Sequence, residues 1–335
     1  MPIVVSISPK PDKESEQIIL FSFYFREKIK PLKMKNSRRN FMKSMLAVPI
    51  IASGLNVFSS EIPAVSKKFG HKLKLSLNLY SFNSLLMEGK INLFNMLDFC
   101  AEHNFGAIDP TGYYFPGYPE VPTDEFMMKF KKQAFLLGLD ISGTGVRNDF
   151  ANPDAAARKA DIVMIKKWVE AAAKMGIPNL RIFAGTNSHE GFSRDKVFEW
   201  MARDIKECCD YGKKFGVIIA IQNHNDFLKT AADVDKIFGM VDSEWLGLNL
   251  DIGSYRLEDP YEAIQKNMKY AVTWQIKENV WIDGKEVPTD FPKLFKIIKD
   301  GGYRGYLPLE TLGAGDPYQK VPVLLENVRK ALMKV

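Results

Sequence analysis

Four polar residues recur at regular intervals in the second half of the chain, each at the end of a short apolar segment. They are Gln222, Asp251, Gln275 and Glu310, separated by 29, 24 and 35 residues. These spacings are typical of consecutive strand–helix units, in which the carboxyl ends of parallel strands meet at one edge of the sheet. We therefore expect the four side chains to face one another, and a carboxylate in such a cluster can act as a general base.

Eight apolar, β-branched segments alternate with amphipathic segments from about residue 73 onward. The predicted strands are Leu73–Leu79, Phe105–Asp109, Asp140–Val146, Leu180–Phe183, Val217–Ile221, Leu246–Leu250, Ala271–Ile276 and Gly305–Leu309. Between them, apolar residues recur every three or four positions, as in Ile91–His103, which predicts helices. Eight strand–helix units over about 260 residues predict an α/β fold, a (β/α)8 TIM barrel.

An open, doubly wound sheet is the alternative arrangement of alternating strands and helices. That fold usually carries a glycine-rich phosphate-binding turn after its first strand. Here the first strand runs into Leu-Asn-Leu-Tyr-Ser-Phe-Asn at residues 77–83, and neither G-x-G-x-x-G nor G-K-[ST] occurs anywhere in the sequence. We therefore favour the barrel and expect no nucleotide cofactor.

Charge is divided unevenly along the 335-residue chain. Residues 1–74 hold 14 Lys or Arg and 5 Asp or Glu, whereas residues 75–335 hold 32 basic and 35 acidic residues. The net charge of +6 therefore comes from the N-terminal leader, residues 1–74. A nucleic-acid-binding domain should carry its positive charge on the folded part, so we expect no nucleic-acid partner. The three cysteines show neither metal-like spacing nor an even disulfide set.

The leader itself resembles a bacterial export signal. Residues 34–60 combine a basic start, the pair Arg38 and Arg39, and a modest apolar stretch. The segment 37–43, Ser-Arg-Arg-Asn-Phe-Met-Lys, is similar to the twin-arginine signature. The stretch is too short for a membrane span, so we expect periplasmic export without a stable membrane anchor; a basic surface helix is the alternative. The predicted divisions are 1–33, an upstream mis-start or disordered segment; 34–72, signal and linker; and 73–335, the barrel.

The segments around the four polar residues resemble the xylose-isomerase-like TIM barrels, the sugar phosphate isomerase/epimerase family related to endonuclease IV. The similarity covers nearly all of residues 73–332 and is strongest at 220–224 (AIQNH), 248–253 (LNLDIG), 274–278 (WQIKE) and 305–310 (GYLPLE). In the sugar-isomerase branch, Glu, Asp, His and Glu from strands five to eight hold one divalent ion. With four histidines, the chain cannot build the His-rich zinc cluster of endonuclease IV, which argues against DNA cleavage.

The resemblance implies a metal-ligand set of Gln222, Asp251, Gln275 and Glu310. Asp251 and Glu310 match the family pattern, but Gln222 stands where Glu is expected and Gln275 where His is expected. Two carboxylates and two amide oxygens would form a weaker cage for Mn²⁺ or Mg²⁺. Because Gln222 cannot exchange a proton, the family's epimerisation by paired carboxylates is in doubt, and Glu310 remains as the single base.

Further residues near the strand ends are candidates for catalytic support and substrate binding. Lys277 could polarise a carbonyl or act as an acid, and His224 is the one histidine expected in the site. The aromatic loop 111–119 could form a wall over a sugar ring, or equally a packed surface loop. Arg181 could grip an anion or form a structural ion pair. The expected substrate contacts are Asn78, Tyr80, Asp109, Tyr113, Arg147, Arg181, Asn223 and Trp274.

Together these residues predict a carbohydrate-active, isomerase- or epimerase-like enzyme that removes a proton next to a sugar carbonyl. Glu310 would be the base, over a weakened divalent-metal site. A keto-sugar lyase or hydrolase using the same site is one alternative, and a non-catalytic sugar-binding barrel is another. The expected partner is a small carbohydrate. Barrels of this kind often pair, which leaves a homodimer open.

Overall fold

The computed structural model describes residues 72–186, 189 and 191–334. The predicted export signal and the segment before it lie outside the described residues. The strands within the described residues are β1 (Lys72–Asn78), β2 (Ala107–Asp109), β3 (Asp140–Ile141), β4 (Thr144–Gly145), β5 (Asn179–Phe183), β6 (Ile218–Gln222), β7 (Leu246–Asp251), β8 (Ala271–Lys277), β9 (Asn279–Ile282), β10 (Lys285–Pro288) and β11 (Arg304–Glu310).

Nine of these strands form one parallel sheet in the order β3-β2-β1-β11-β8-β7-β6-β5-β4. Its two outermost strands, β3 and β4, are short pieces of a single segment, residues 140–145, so the chain itself closes the sheet. Taken together as one, they leave eight barrel strands, each matching a predicted apolar segment. The predicted TIM barrel is therefore confirmed.

The break between β3 and β4 has a local cause. The Asn179 side chain donates a hydrogen bond from Nδ2 to the Ser142 carbonyl oxygen at 2.8 Å, where a neighbouring strand would otherwise pair. A Cβ at Gly143 would lie 2.9 Å from Asn179 Oδ1, so glycine leaves room for this side chain. The buried Asn179 side chain thus takes the place of a backbone hydrogen bond between neighbouring strands.

Nine α-helices lie between and after the strands in the described part of the chain. They are α1 (Asn83–Met87), α2 (Leu93–Glu102), α3 (Asp124–Leu136), α4 (Ala155–Met175), α5 (Arg194–Phe215), α6 (Ala231–Val241), α7 (Pro260–Asn267), α8 (Phe291–Asp300) and α9 (Pro317–Leu332). Every helix from α2 to α9 begins after an Asn, Asp, Ser or Thr whose side chain accepts a backbone N–H. Gly176 and Gly216 end α4 and α5 in the left-handed conformation, which the Lys-Met-Gly and Lys-Phe-Gly sequences at these points predict.

The main core lies between the sheet and the surrounding helices. Trp168 on α4 and Phe130 on α3 are completely buried there. One buried ion pair joins two of these helices: Arg158 on α4 donates to Asp204 on α5 at 2.8 Å, and its guanidinium lies 4.8 Å from the centre of the Trp200 ring. These contacts hold α4 and α5 against each other.

Two elements differ from the sequence prediction. The antiparallel hairpin β9–β10 follows β8 and was not predicted, although the Asp-Gly pair at 283–284 is typical of a two-residue hairpin turn and both residues have positive φ. Helix α9 covers Pro317–Leu332, whereas the apolar spacing of the sequence predicts a helix over Val321–Met333. The helix begins earlier because Asp316 caps it and proline suits the first helical turn. None of the described helices is long and apolar enough to cross a membrane.

Candidate active site

A cavity of about 680 Å³ opens at the carboxyl ends of the barrel strands. Its floor is formed by the last residues of β6, β8 and β11, and its walls by the loops that follow the strands. The lining residues include Tyr80, Tyr113, Arg147, Arg181, Phe183, Gln222, His224, Ser254, Arg256, Gln275, Lys277 and Glu310. This is the face on which TIM-barrel enzymes carry their chemistry.

The four spaced polar residues meet at the floor of this cavity, and all are buried. Gln222 donates from Nε2 to Asp251 Oδ2 at 2.9 Å and to Gln275 Oε1 at 2.6 Å. Parallel pairing sets Asp251 beside Gln275 and Glu310 beside Lys277. The structure therefore brings together the quartet that the spacing of the sequence singles out.

Lys277 joins the two carboxylates of the quartet. Its Nζ lies 2.7 Å from Asp251 Oδ2 and 3.1 Å from Glu310 Oε2, with 12% of the side chain exposed to the cavity. Strand side chains alternate between the two faces of a sheet, so Gln275 and Lys277 both point into the barrel. The result is a buried carboxylate–ammonium–carboxylate bridge that reaches the cavity.

The charges and the burial of this bridge shift the pKa values of Asp251, Glu310 and Lys277. Burial favours the neutral carboxyl of Asp251, yet the adjacent Lys277 holds the pKa of Asp251 below its usual range. Burial raises the pKa of Glu310, and the charge on Asp251 adds to this against the opposing effect of Lys277. Burial opposes the charge on Lys277, but the two carboxylates outweigh it and raise its pKa. Glu310 is thus the more basic carboxylate of the two.

Asn223 fixes the backbone of Asp251. It accepts from the Asp251 N–H at 2.8 Å and donates to the Asp251 carbonyl oxygen at 2.9 Å. Gly253 N–H also donates to Asp251 Oδ1 at 3.0 Å, which fixes the carboxylate itself. Asn223 is fully buried and does not line the cavity, so the expectation that it contacts substrate is corrected: it positions Asp251.

Asn78 and Asp109 play a similar part beneath Arg181. Asn78 donates to Asp109 Oδ2 at 3.1 Å, and that oxygen lies 3.6 Å from an Arg181 nitrogen. Arg181 reaches the cavity, whereas Asn78 and Asp109 are buried behind it and do not line it. Gly145 makes the space, since a Cβ there would lie 2.8 Å from the guanidinium. The expected substrate contacts of Asn78 and Asp109 are therefore corrected to support of Arg181.

The predicted contact of Trp274 with substrate is also corrected. Trp274 immediately precedes Gln275 in β8, so its side chain points to the opposite face, toward the helices. It is completely buried, packs edge-to-face on Tyr303 with ring centres 5.7 Å apart, and does not line the cavity. Its role is packing between the barrel and the outer helices.

The rim of the cavity is aromatic and basic. The guanidinium of Arg147 lies 5.1 Å from the centre of the Tyr113 ring, so the aromatic loop contributes one wall. Its other part is core, because Phe115 is buried against Trp168. His224 lines the opposite wall, half exposed, against the ring of Phe183. Tyr80 lines the cavity as well.

Several wall residues were not among the predicted site residues. Ser254 and Arg256 line the cavity from the loop after β7, and Arg256 stacks on Trp281 of the unpredicted hairpin at 4.5 Å. The signal for this loop was present, because it directly follows Asp251. The Asp-Gly pair at 283–284 indicates the hairpin, but no local pattern places Trp281 against Arg256, so the stack could not be foreseen.

The family's divalent ion is a poor match for the residues present. The described residues contain no group of three or more His, Cys, Asp or Glu placed to hold a metal ion. Asp251 and Gln275 oxygens accept hydrogen bonds from Gln222, so the Gln222 group facing them is its NH₂, which cannot bind a cation. Both carboxylates are already bridged by an ammonium. These residues do not fit a resident divalent ion.

Comparison with known proteins agrees with this architecture. The barrel is similar to the 3-keto-D-glucoside 4-epimerase YcjR from E. coli (16% identity, 77% of this chain and 100% of that chain, TM-score 0.63). It is also similar to the D-psicose 3-epimerase from Clostridium cellulolyticum H10 (14%, 77% and 99%, TM-score 0.62) and to an IolI protein with a bound zinc atom (16%, 78% and 97%, TM-score 0.64). No match was found among the curated proteins. A sequence model described as xylose isomerase-like TIM barrel matches residues 97–330, so the chain belongs to that family.

Proposed function

We propose that the protein is a carbohydrate-modifying enzyme that removes a proton from the carbon next to a sugar carbonyl, with Glu310 as the base. The observation that carries this proposal is the contact between Glu310 and Lys277, 3.1 Å apart at the floor of the cavity. A base and a cation side by side suit the two ends of an enolisation, in which a carbon loses a proton while its neighbouring oxygen gains negative charge.

Glu310 has the properties that this role requires. Glu310 is the last residue of β11, points toward the barrel axis and lines the cavity. Because it is only 4% exposed, a bound substrate can reach it while bulk water cannot surround it. Burial raises the pKa of its carboxyl, which strengthens it as a base. General base catalysis of this kind contributes about 10²–10⁴-fold to rate.

The residue across the quartet from Glu310 leaves the site with a single base. Inversion of a carbon centre by two bases needs a proton-exchanging group on each face of the substrate. Gln222, on the opposite side of the quartet, is an amide and exchanges no proton. We therefore favour reactions on one face: aldose–ketose isomerisation, in which Glu310 returns the proton to the adjacent carbon, or elimination from a keto-sugar. Hydrolysis through a keto-sugar would use the same first step.

The cavity walls favour a small carbohydrate. Tyr113 offers an aromatic face, and Arg147 and His224 offer hydrogen-bond donors at the rim. A keto-sugar is a suitable candidate substrate, since one structural relative is a 3-keto-D-glucoside epimerase by its name. We further propose that export through the twin-arginine-type leader brings the enzyme to glycan breakdown products in the periplasm.

The test is turnover in D₂O with a panel of aldoses, ketoses and 3-keto-glycosides, followed by NMR. We expect solvent deuterium at the carbon next to the carbonyl with the wild-type chain, and a loss of about 10²–10⁴-fold in Glu310→Gln. Glu326→Gln is the matched control, because Glu326 lies on α9 in an exposed pair with Lys330. Full turnover by Glu310→Gln would contradict the assignment of the base. Binding without any turnover would instead support the sugar-binding barrel.

A further inference from the structure

We infer that the ammonium of Lys277 takes the place that a divalent cation holds in the metal-dependent members of this family, so that the reaction proceeds without a metal ion. This inference rests on the proposed function for its chemistry. Its geometry stands independently. The two residues that match the family's ligands, Asp251 and Glu310, both direct an oxygen at the same Nζ, at 2.7 and 3.1 Å.

The side chains at the other two positions of the quartet, Gln222 and Gln275, contact each other. Gln222 Nε2 donates to Gln275 Oε1 and to Asp251 at once, so the amide groups are hydrogen-bonded to each other and to the bridge. A divalent ion would have to turn Gln222 around and expel the ammonium. It would do so without the negative charge of the Glu that the family carries at this position, and each missing carboxylate weakens the attraction for a hard cation.

The glycine at position 253 leaves room for the Lys277 side chain. A Cβ at position 253 would lie 2.9 Å from Lys277 Cδ, so Gly253 leaves the channel through which the lysine stem passes. The backbone N–H of the same glycine holds the other oxygen of Asp251. The ammonium is therefore fixed at the centre of the site rather than extended into the cavity.

The chemistry of a fixed ammonium matches what the proposed reaction needs. Two of its three N–H groups face Asp251 and Glu310, which leaves one for a substrate oxygen. As Glu310 takes the proton, the C–H electron pair forms a carbon–carbon double bond and the carbonyl electron pair moves onto oxygen. The charge on that oxygen is met by Lys277. In isomerisation the proton of the neighbouring hydroxyl passes to this oxygen and the electron pair left on the second oxygen forms the new carbonyl bond. The carbon–carbon double bond takes the proton back from the Glu310 carboxylic acid at the former carbonyl carbon, so atoms and charge balance without a further reactant.

The first test measures metal binding without any substrate. Chelator-treated wild-type protein is titrated with Mn²⁺, and free Mn²⁺ is followed by EPR. We expect no uptake up to a concentration of about 1 mM, the range of a weak complex. Stoichiometric uptake that is abolished by Asp251→Asn would overturn the inference, whether or not the protein acts on a sugar.

The second test rebuilds the metal site. The double variant Gln222→Glu/Gln275→His restores the family's residue types, and the triple variant adds Lys277→Met. We expect the triple variant to bind Mn²⁺ at least tenfold more tightly than the double variant, because the ammonium no longer competes. Equal affinities in two folded variants, checked by circular dichroism, would contradict competition. If the triple variant does not fold, the wild-type titration decides alone. Where a substrate is found, its turnover should be unchanged by EDTA; a loss of more than tenfold that Mn²⁺ restores would also overturn the inference.

Discussion

Replacing Lys277 by Met tests the buried bridge by a stability measurement. Methionine nearly preserves length and shape but removes the charge, and it leaves Asp251 and Glu310 without their counter-ion at 0% and 4% exposure. Breaking a buried pair by removing one partner costs about 3–5 kcal/mol, because an uncompensated charge remains inside the protein. At roughly 2–4 °C per kcal/mol for a domain of this size, the melting temperature should fall by about 6–20 °C at pH 7.

The sign of the pH dependence follows from the carboxyl groups. Without the ammonium, burial raises the pKa of both carboxyls in the folded state above their unfolded values. A group whose pKa is raised by folding stabilises the fold below its unfolded pKa and loses that contribution as the pH rises through its folded pKa. In the wild-type chain, Asp251 behaves oppositely, because its pKa is lowered. The deficit of Lys277→Met should therefore be largest at neutral pH and shrink toward pH 4.

Chemical denaturation between pH 4 and pH 8 measures this difference. Lys74→Met is the matched control, since Lys74 forms an ion pair of similar length with Asp140, 2.9 Å, but both side chains are about half exposed. We expect this control to lose no more than about 1 kcal/mol. If Lys277→Met were as stable as the wild type at pH 7, or lost the same stability at every pH, the carboxylate–ammonium–carboxylate bridge would not exist in solution.

Three further substitutions probe the packing of the barrel and its helices. Gly185→Ala should destabilise the fold by about 2–4 kcal/mol, because residue 185 has φ +117° and an added Cβ would lie 1.9 Å from Asp149 Oδ1; thermal unfolding equal to wild type would refute this. Arg158→Met should cost about 3–5 kcal/mol, because it removes the buried partner of the Asp204 carboxylate and leaves it only the exposed Arg203. Arg203→Met, which removes an exposed partner of the same carboxylate, should cost below about 1 kcal/mol, and equal losses in urea denaturation would contradict the argument.

The sequence was sufficient to predict the barrel because its signal is periodic. Each apolar segment and each capped helix can be read locally, and the residues that end strands in a closed parallel barrel must meet at one mouth. That is why the spacing of Gln222, Asp251, Gln275 and Glu310 identified a cluster that the structure then brought together. The position of Trp274 also follows from strand alternation once Gln275 faces inward, so that error was avoidable.

Other features depend on contacts that no local pattern encodes. Some residues end or follow strands as binding residues do, yet their side chains form hydrogen bonds with neighbouring strands. They are Asn78, Asp109 and Asn223. The bridging of Asp251 and Glu310 by Lys277 depends on distances between three strands, which spacing alone does not give. The resemblance to metal-dependent barrels predicted a divalent ion at this point, whereas the structure has the Lys277 ammonium between the two carboxylates.

A crystal structure of Glu310→Gln with a bound keto-sugar tests the central claim most directly. We expect the carbon next to the carbonyl within about 3–3.5 Å of the residue 310 side chain, the distance of a reactive complex, and the carbonyl oxygen within hydrogen-bond distance of Lys277 Nζ. A sugar bound at the rim with its carbonyl turned away from both side chains would contradict the proposed chemistry.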